Sequence, residues 1–206
     1  MIDEYFKSFL NEFGPQIERR EAPLSSVERY QGRLPKQLLQ YWTEFGWSGY
    51  GGGLFWMVNP QDYDGILSEW LSGSSFDGKD VFHVIAIGAF GELYVWGERF
   101  GYSFAIASAE SYVVPRHPFS EPPLDLDCEV RYFFASKTKV NEDPYELFFE
   151  ARHRLGELKD GEIYGFNLAL SLGGPIDIQN VGKVSVIEHL TFLAQLDELK
   201  NFRLPE

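Results

Sequence analysis

Residues 81–114 read VFHVIAIGAFGELYVWGERFGYSFAIASAESYVV, and this stretch decides the fold class. Val81–Ile87, Glu92–Trp96, Tyr102–Ala107 and Ser111–Val114 are short runs rich in β-branched and aromatic residues. The spacers Gly88–Gly91 and Gly97–Gly101 are brief enough for antiparallel hairpins. The spacing predicts three or four strands of a small antiparallel sheet.

Upstream, the periodicity changes to that of helices. Ile2, Phe6, Phe9, Leu10 and Phe13 recur at helical spacing, and Gly14-Pro15 is a stop signal. A polar connector leads to Pro35, which suits a first helical turn because it has no N–H to leave unpaired. Leu38, Leu39, Trp42 and Phe45 form the stripe of that helix, and Gly46 ends it. Leu54-Phe55-Trp56-Met57-Val58 reads as a strand. Asn59 and Pro60 then open a short helix to about Trp70-Leu71.

Downstream, Pro115-Arg116-His117-Pro118 through Glu121-Pro122-Pro123 holds four of the chain's 11 prolines and reads as a linker. Beyond it, Asp125 can cap a helix bearing Leu126, Val130, Phe133 and Phe134. The alternation of Cys128, Val130, Tyr132 and Phe134 also fits a strand. Asp143-Pro144-Tyr145-Glu146 and Ser185-Val186-Ile187-Glu188 both read as capping boxes opening helices. The expectation is an α+β protein: N-terminal helices packed on a small antiparallel sheet in residues 1–115, a linker at 116–124, and a mainly helical part in 125–206.

Composition bounds the function. The charge is −13, with 18 basic and 31 acidic residues. There are 8 basic and 15 acidic residues up to and including Pro115 (−7), and 10 and 16 beyond it (−6). No half offers the basic footprint that direct nucleic-acid binding needs. The longest apolar runs are strand-length, far short of the ~20 residues of a bilayer span. The acidic start Met1-Ile2-Asp3-Glu4 is unlike a signal peptide, so a cytoplasmic protein is expected. Cys128 is the single cysteine. It reads as a buried thiol, and no disulfide or thiolate cluster is available.

No constellation of residues specifies catalysis, a metal or a cofactor. Gly49–Gly53 precedes a strand-like run, so it reads as a turn and not as a phosphate loop, which needs a helix N-terminus. His83, His117, His153 and His189 are far apart, with no pair at ligand spacing. His83 reads as a satisfied core or edge histidine, His153 as a solvated one near a helix C-terminus, and His189 as facing solvent. No serine is tied to a His and an Asp by pattern.

A resemblance supplies what these patterns do not. Arg154-Leu155-Gly156, Glu162-Ile163-Tyr164-Gly165-Phe166, Ala169-Leu170, Leu172-Gly173-Gly174-Pro175 and the run Glu188–Leu196 resemble the C-terminal domain of bacterial immunity proteins that protect against type VI secretion DNase effectors. Tyr30-Gln31-Gly32-Arg33-Leu34-Pro35, Trp42–Trp47, Asn59-Pro60 and Ala89–Gly97 resemble the GAD-like domain that precedes it. The chain departs from the family at Asn167-Leu168, where a proline is expected. The resemblance implies a protein that holds a cognate toxin, a DNase with a basic surface, and blocks its DNA-binding or catalytic face without enzymatic activity or cofactor. Acidity is compatible with that role. Glu142, Asp143, Glu146, Glu150, Asp160 and Glu162 cluster around charged turns and are the candidate contacts. Two other readings stand beside it: a hydrolase-like enzyme of unrecognised type, and a general protein-interaction module.

Overall fold

The computed structural model describes residues 2–116 and 124–201. Helix α1 (Glu4–Phe13) is capped by Asp3, whose carboxylate accepts from the N–H groups of Tyr5 (3.0 Å) and Phe6 (2.9 Å). It buries Phe6, Phe9 and Phe13, whereas Ile2 precedes the helix and is exposed. The polar connector proves structured, as β1 (Ile17–Arg20) and α2 (Leu24–Tyr30). Neither announces itself in sequence. The strand is an exposed edge whose register shifts, with Glu18 at φ 48°, and α2 buries only Ser26 and Tyr30.

Helix α3 (Lys36–Phe45) follows Pro35 and buries Leu38, Leu39 and Trp42. Strands β2 (Trp47–Tyr50) and β3 (Phe55–Met57) come next. The glycines between them, Gly51 to Gly53, all have positive φ and make the connecting turn, with a strand following as expected. Asn59 caps a 3-10 turn, Pro60–Tyr63, that runs into α4 (Asp64–Leu71). The meander is then β4 (Phe82–Gly88), β5 (Leu93–Gly97), β6 (Gly101–Ala107) and β7 (Tyr112–Pro115), each antiparallel to the next. Strands β1 to β7 lie in sequence order as seven antiparallel strands, a larger sheet than the four-strand reading.

The predicted linker, His117 included, falls outside the described residues except at its two ends. After it, the chain from Leu126 is helix and not strand: α5 (Leu126–Ala135), with Asp125 accepting from the Cys128 N–H at 3.0 Å. Cys128 is half-buried, not enclosed, because it sits in the first turn. The remaining elements are α6 (Phe148–Leu155), β8 (Glu162–Phe166), β9 (Val181–Ser185), α7 (Val186–Leu196) and β10 (Lys200–Asn201). The mainly helical expectation is thus met in part only. Strands β8 and β9 form a hairpin, and β10 runs parallel beside β7 as the eighth strand of the large sheet. Residues 167–180 separate β8 from β9, so no tight-turn signal marks the pair in sequence.

The two capping boxes differ from expectation in detail. Asp143 accepts from the N–H groups of Leu147 and Phe148, but Glu146 has φ 57°, so α6 starts at Phe148 and not at Pro144. Ser185 stands at the N-cap of α7 without a side-chain bond. The Val186 N–H is instead paired with Gly161 O at 2.9 Å.

Helices α1, α3 and α5 share one aromatic core with the sheet. Phe134 meets Phe6, Phe9 and Tyr41 edge-on at 5.2–5.4 Å, and its neighbour Phe133 meets Tyr102 at 4.7 Å. Each such ring contributes roughly 1.5–3 kcal/mol by burial. Polar contacts join the two parts as well. Arg131 donates twice to Gln37 (3.1 and 2.7 Å), and the Tyr164 N–H donates to Ala89 O at 2.8 Å. Gly91 permits the second approach. It has φ 90°, and a Cβ there would stand 2.9 Å from Ser108 Oγ and about 3 Å from Leu190 and Ile163.

Candidate functional site

The six acidic candidates do not form one surface. Glu142 is buried at 5% exposure, inside the turn that follows α5. Asp143 is half-buried and occupied as the cap of α6. Glu146 and Glu150 are exposed, on the left-handed turn and on α6. Asp160 lies 3.6 Å from Arg20, and Glu162 lies 3.3 Å from Lys183 while accepting from the Lys159 N–H. The structure therefore separates two solvent-facing carboxylates on α6 and its approach from Asp160, which ties the turn before β8 to β1, and Glu162, which pairs across the β8–β9 hairpin.

Glu142 instead belongs to a polar centre that sequence reasoning missed. Lys137, just past α5, is 6% exposed, and its Nζ lies 3.1 Å from Glu142 Oε1. The ammonium also sits 3.6 Å from the Tyr94 ring centre and 4.6 Å from that of Phe133, with Phe55 and Tyr102 at 5.7 Å each. Tyr94 Oη donates to the other Glu142 oxygen. Burial pushes Lys137 down to about 8, against the pull of Glu142. Nearby, burial pushes the Glu92 carboxyl up to about 8, with its Oε2 enclosed and unpartnered. A cleft of about 360 Å³ adjoins the pair and is also lined by Arg116, Ser136 and Asn141. The only hint in sequence is Lys137 and Glu142 five residues apart. Phe133 of their aromatic cage is local, on α5, but Phe55, Tyr94 and Tyr102 come from β3, β5 and β6, far upstream.

The histidines lie in separate surroundings. His83 is buried, its Nε2 2.9 Å from Glu98 Oε1, to which Arg33 Nε also donates at 2.7 Å. His153 is exposed in the last turn of α6. His189 is half-buried and not solvent-facing, because it packs over Gly165, where a Cβ would stand 2.6 Å from its Nε2. Burial lowers its pKa. Among the described residues no group of three or more His, Cys, Asp or Glu could hold a metal ion. No helix among them is long and apolar enough to cross a membrane.

A second feature is presentational. Between β8 and β9, Leu168, Leu172 and Ile176 are exposed at 49–59%. The loop carrying them is held by Asn180, which accepts from the Leu168 N–H and donates to the carbonyls of Leu168 and Pro175, all at 2.9 Å. The hydrogen bonds of Asn180 tie the two ends of the loop together while these three aliphatic side chains stay in solvent.

Comparison with known proteins completes the description. Residues 4–110 match the GAD-like domain, and residues 127–197 match the domain described as "T6SS immunity protein Tdi1, C-terminal". A crystal structure of Atu4351 from Agrobacterium tumefaciens superposes with a TM-score of 0.78 at 23% identity, over 93% of this chain and 89% of that one. At that identity the likeness speaks for the fold. No curated protein matches.

Proposed function

Because the chain belongs to the GAD-like domain family and carries a type VI secretion immunity domain after it, we propose that it neutralises one cognate toxin, a DNase, by binding over its DNA-binding or catalytic face. The observation that carries this reading is the match of residues 127–197. The net charge of −13 supports it, since a nuclease presents basic side chains to DNA and an acidic protein can compete for them. Of the sequence candidates, the exposed Glu146 and Glu150 are the ones we assign to direct contact. Asp143 as the cap of α6, Asp160 and Glu162 in their pairs with Arg20 and Lys183, and the buried Glu142 would act through the fold. The division into a GAD-like domain at 1–115 and an immunity-type domain from 125 goes with this proposal.

We read the protein as a binder and not as an enzyme. The cleft beside Lys137 is the place a hydrolase reading would use, but the Lys137 ammonium already faces Glu142 and four aromatic rings. The test is co-expression with the toxin encoded beside it. Protected growth and a salt-sensitive complex are expected. Killing that continues unchanged, with no complex formed, would overturn the reading.

A further inference from the structure

A cleft of about 380 Å³ opens between α4, the loop after it and the start of β4. Its walls divide by chemistry. Leu67, Leu71, Phe76 and Phe82 line it with hydrocarbon, and Asp64, Asp77 and Asp80 add carboxylates. Asp80 is engaged within the fold, with Arg99 Nε at 3.5 Å and the backbone N–H groups of Val81 and Arg99 donating to it. Asp77 accepts only a long bond from the Gly73 N–H, at 3.3 Å. Asp64 and Asp77 are exposed and form no ion pair among the described residues. Arg33, which also lines the cleft, is held by Glu98.

His83 also lines this cleft. Its Nε2 lies 2.9 Å from the Glu98 carboxylate. Its Nδ1 is enclosed, so His83 forms part of the wall and the accessible charge of the cleft comes from the carboxylates. A cleft walled by hydrocarbon, with two exposed and unpaired carboxylates at its mouth, is complementary to a hydrocarbon stem ending in cationic N–H groups.

We propose that this cleft receives a lysine or arginine side chain of the toxin, standing in for the phosphates that this side chain would contact on DNA. The inference rests on the immunity reading, and it moves part of the recognition surface from α6 to the GAD-like part of the chain. The side chain's stem would lie along Leu67, Leu71 and Phe76, with its charged head between Asp64 and Asp77.

The experiment is a calorimetric titration of the full chain with a catalytically inactivated form of the neighbouring toxin. Three variants accompany the wild type. D64N/D77N removes the two unpaired charges, and S68W fills the cleft from an exposed position on α4. E28Q/E188Q removes the same charge at exposed positions elsewhere. D64N/D77N and S68W should each weaken binding about tenfold or more, with melting temperatures near wild type, while E28Q/E188Q stays within about twofold. Unchanged affinity in either cleft variant overturns the proposal. So does an equal loss in E28Q/E188Q, which would make the effect one of bulk charge. If the wild type itself does not bind the toxin, the immunity reading falls and this inference with it.

Discussion

Replacing Glu142 by glutamine keeps the volume of the side chain and an acceptor for Tyr94, but leaves the Lys137 ammonium buried without its counter-charge. Breaking a buried ion pair from one side costs about 3–5 kcal/mol, because the remaining charge keeps its desolvation penalty and loses the attraction that offset it. The aromatic cage of Tyr94, Phe133, Phe55 and Tyr102 lessens the loss, since a desolvated cation over such rings gains about 2 kcal/mol. A net loss of roughly 1–3 kcal/mol follows, or a fall in Tm of about 2–12 °C for a chain of this size. Removing both charges, as in K137M/E142Q, should cost much less than the sum of the single changes. The assay is urea unfolding of the wild type, both single variants and the double variant, read as a double-mutant cycle. The pH dependence is an internal check. Lys137 titrates near 8 in the fold against 10.5 unfolded, so the unfolded state binds more protons between those values. Its contribution to stability therefore rises with pH across that window and is lost as pH falls through about 8, and K137M should lack this slope. An E142Q protein within about 0.5 kcal/mol of wild type, with additive cycle energies, would refute the reasoning.

Three further outcomes follow from the structure. Glu92 titrates near 8 in the fold against 4.5 unfolded, so the stability it contributes is full below pH 4.5 and is lost as pH rises through 8. E92Q should therefore be more stable than wild type at pH 8 by on the order of 2–4 kcal/mol and show little gain at pH 4.5, in thermal melts at both values. Gly91→Ala must place a Cβ at positive φ against Ser108, Leu190 and Ile163, and should cost about 1–3 kcal/mol in denaturant titration. Asn180→Ala removes the bonds that hold the 167–180 loop, and should raise amide exchange at Leu168 and speed limited proteolysis there, while Tm falls by only a few degrees.

How far the sequence reaches can be judged element by element. The aromatic stripe of α1, the Pro35 start of α3, the Asn59 cap and the 81–114 meander were all legible, because each rests on interactions within a few residues. The structured connector was not. The residues of β1 show no alternation, since an exposed edge strand with a bulge buries little, and α2 turns only Ser26 and Tyr30 inward. The β8–β9 pair escaped for a different reason. Its two strands are matched by the sheet register across a loop of 14 residues, and neither strand carries enough pattern alone.

The candidate site divides in the same way. Sequence located the acidic turns around residues 142–162, but it could not say that Glu142 faces inward to Lys137 or that Glu162 is matched to Lys183. Local chemistry by itself determined the α+β class, most helix starts and the excess of negative charge in both halves. The family words pointed to immunity. Tertiary structure alone decided which carboxylates are spent inside the fold and which stay exposed. It also made the cleft in which α4, the loop after it and β4 bring Asp64, Asp77 and His83 together. The physical reason is that a charge is neutralised or left free by whatever stands a few ångströms away, and here those neighbours lie tens of residues apart along the chain.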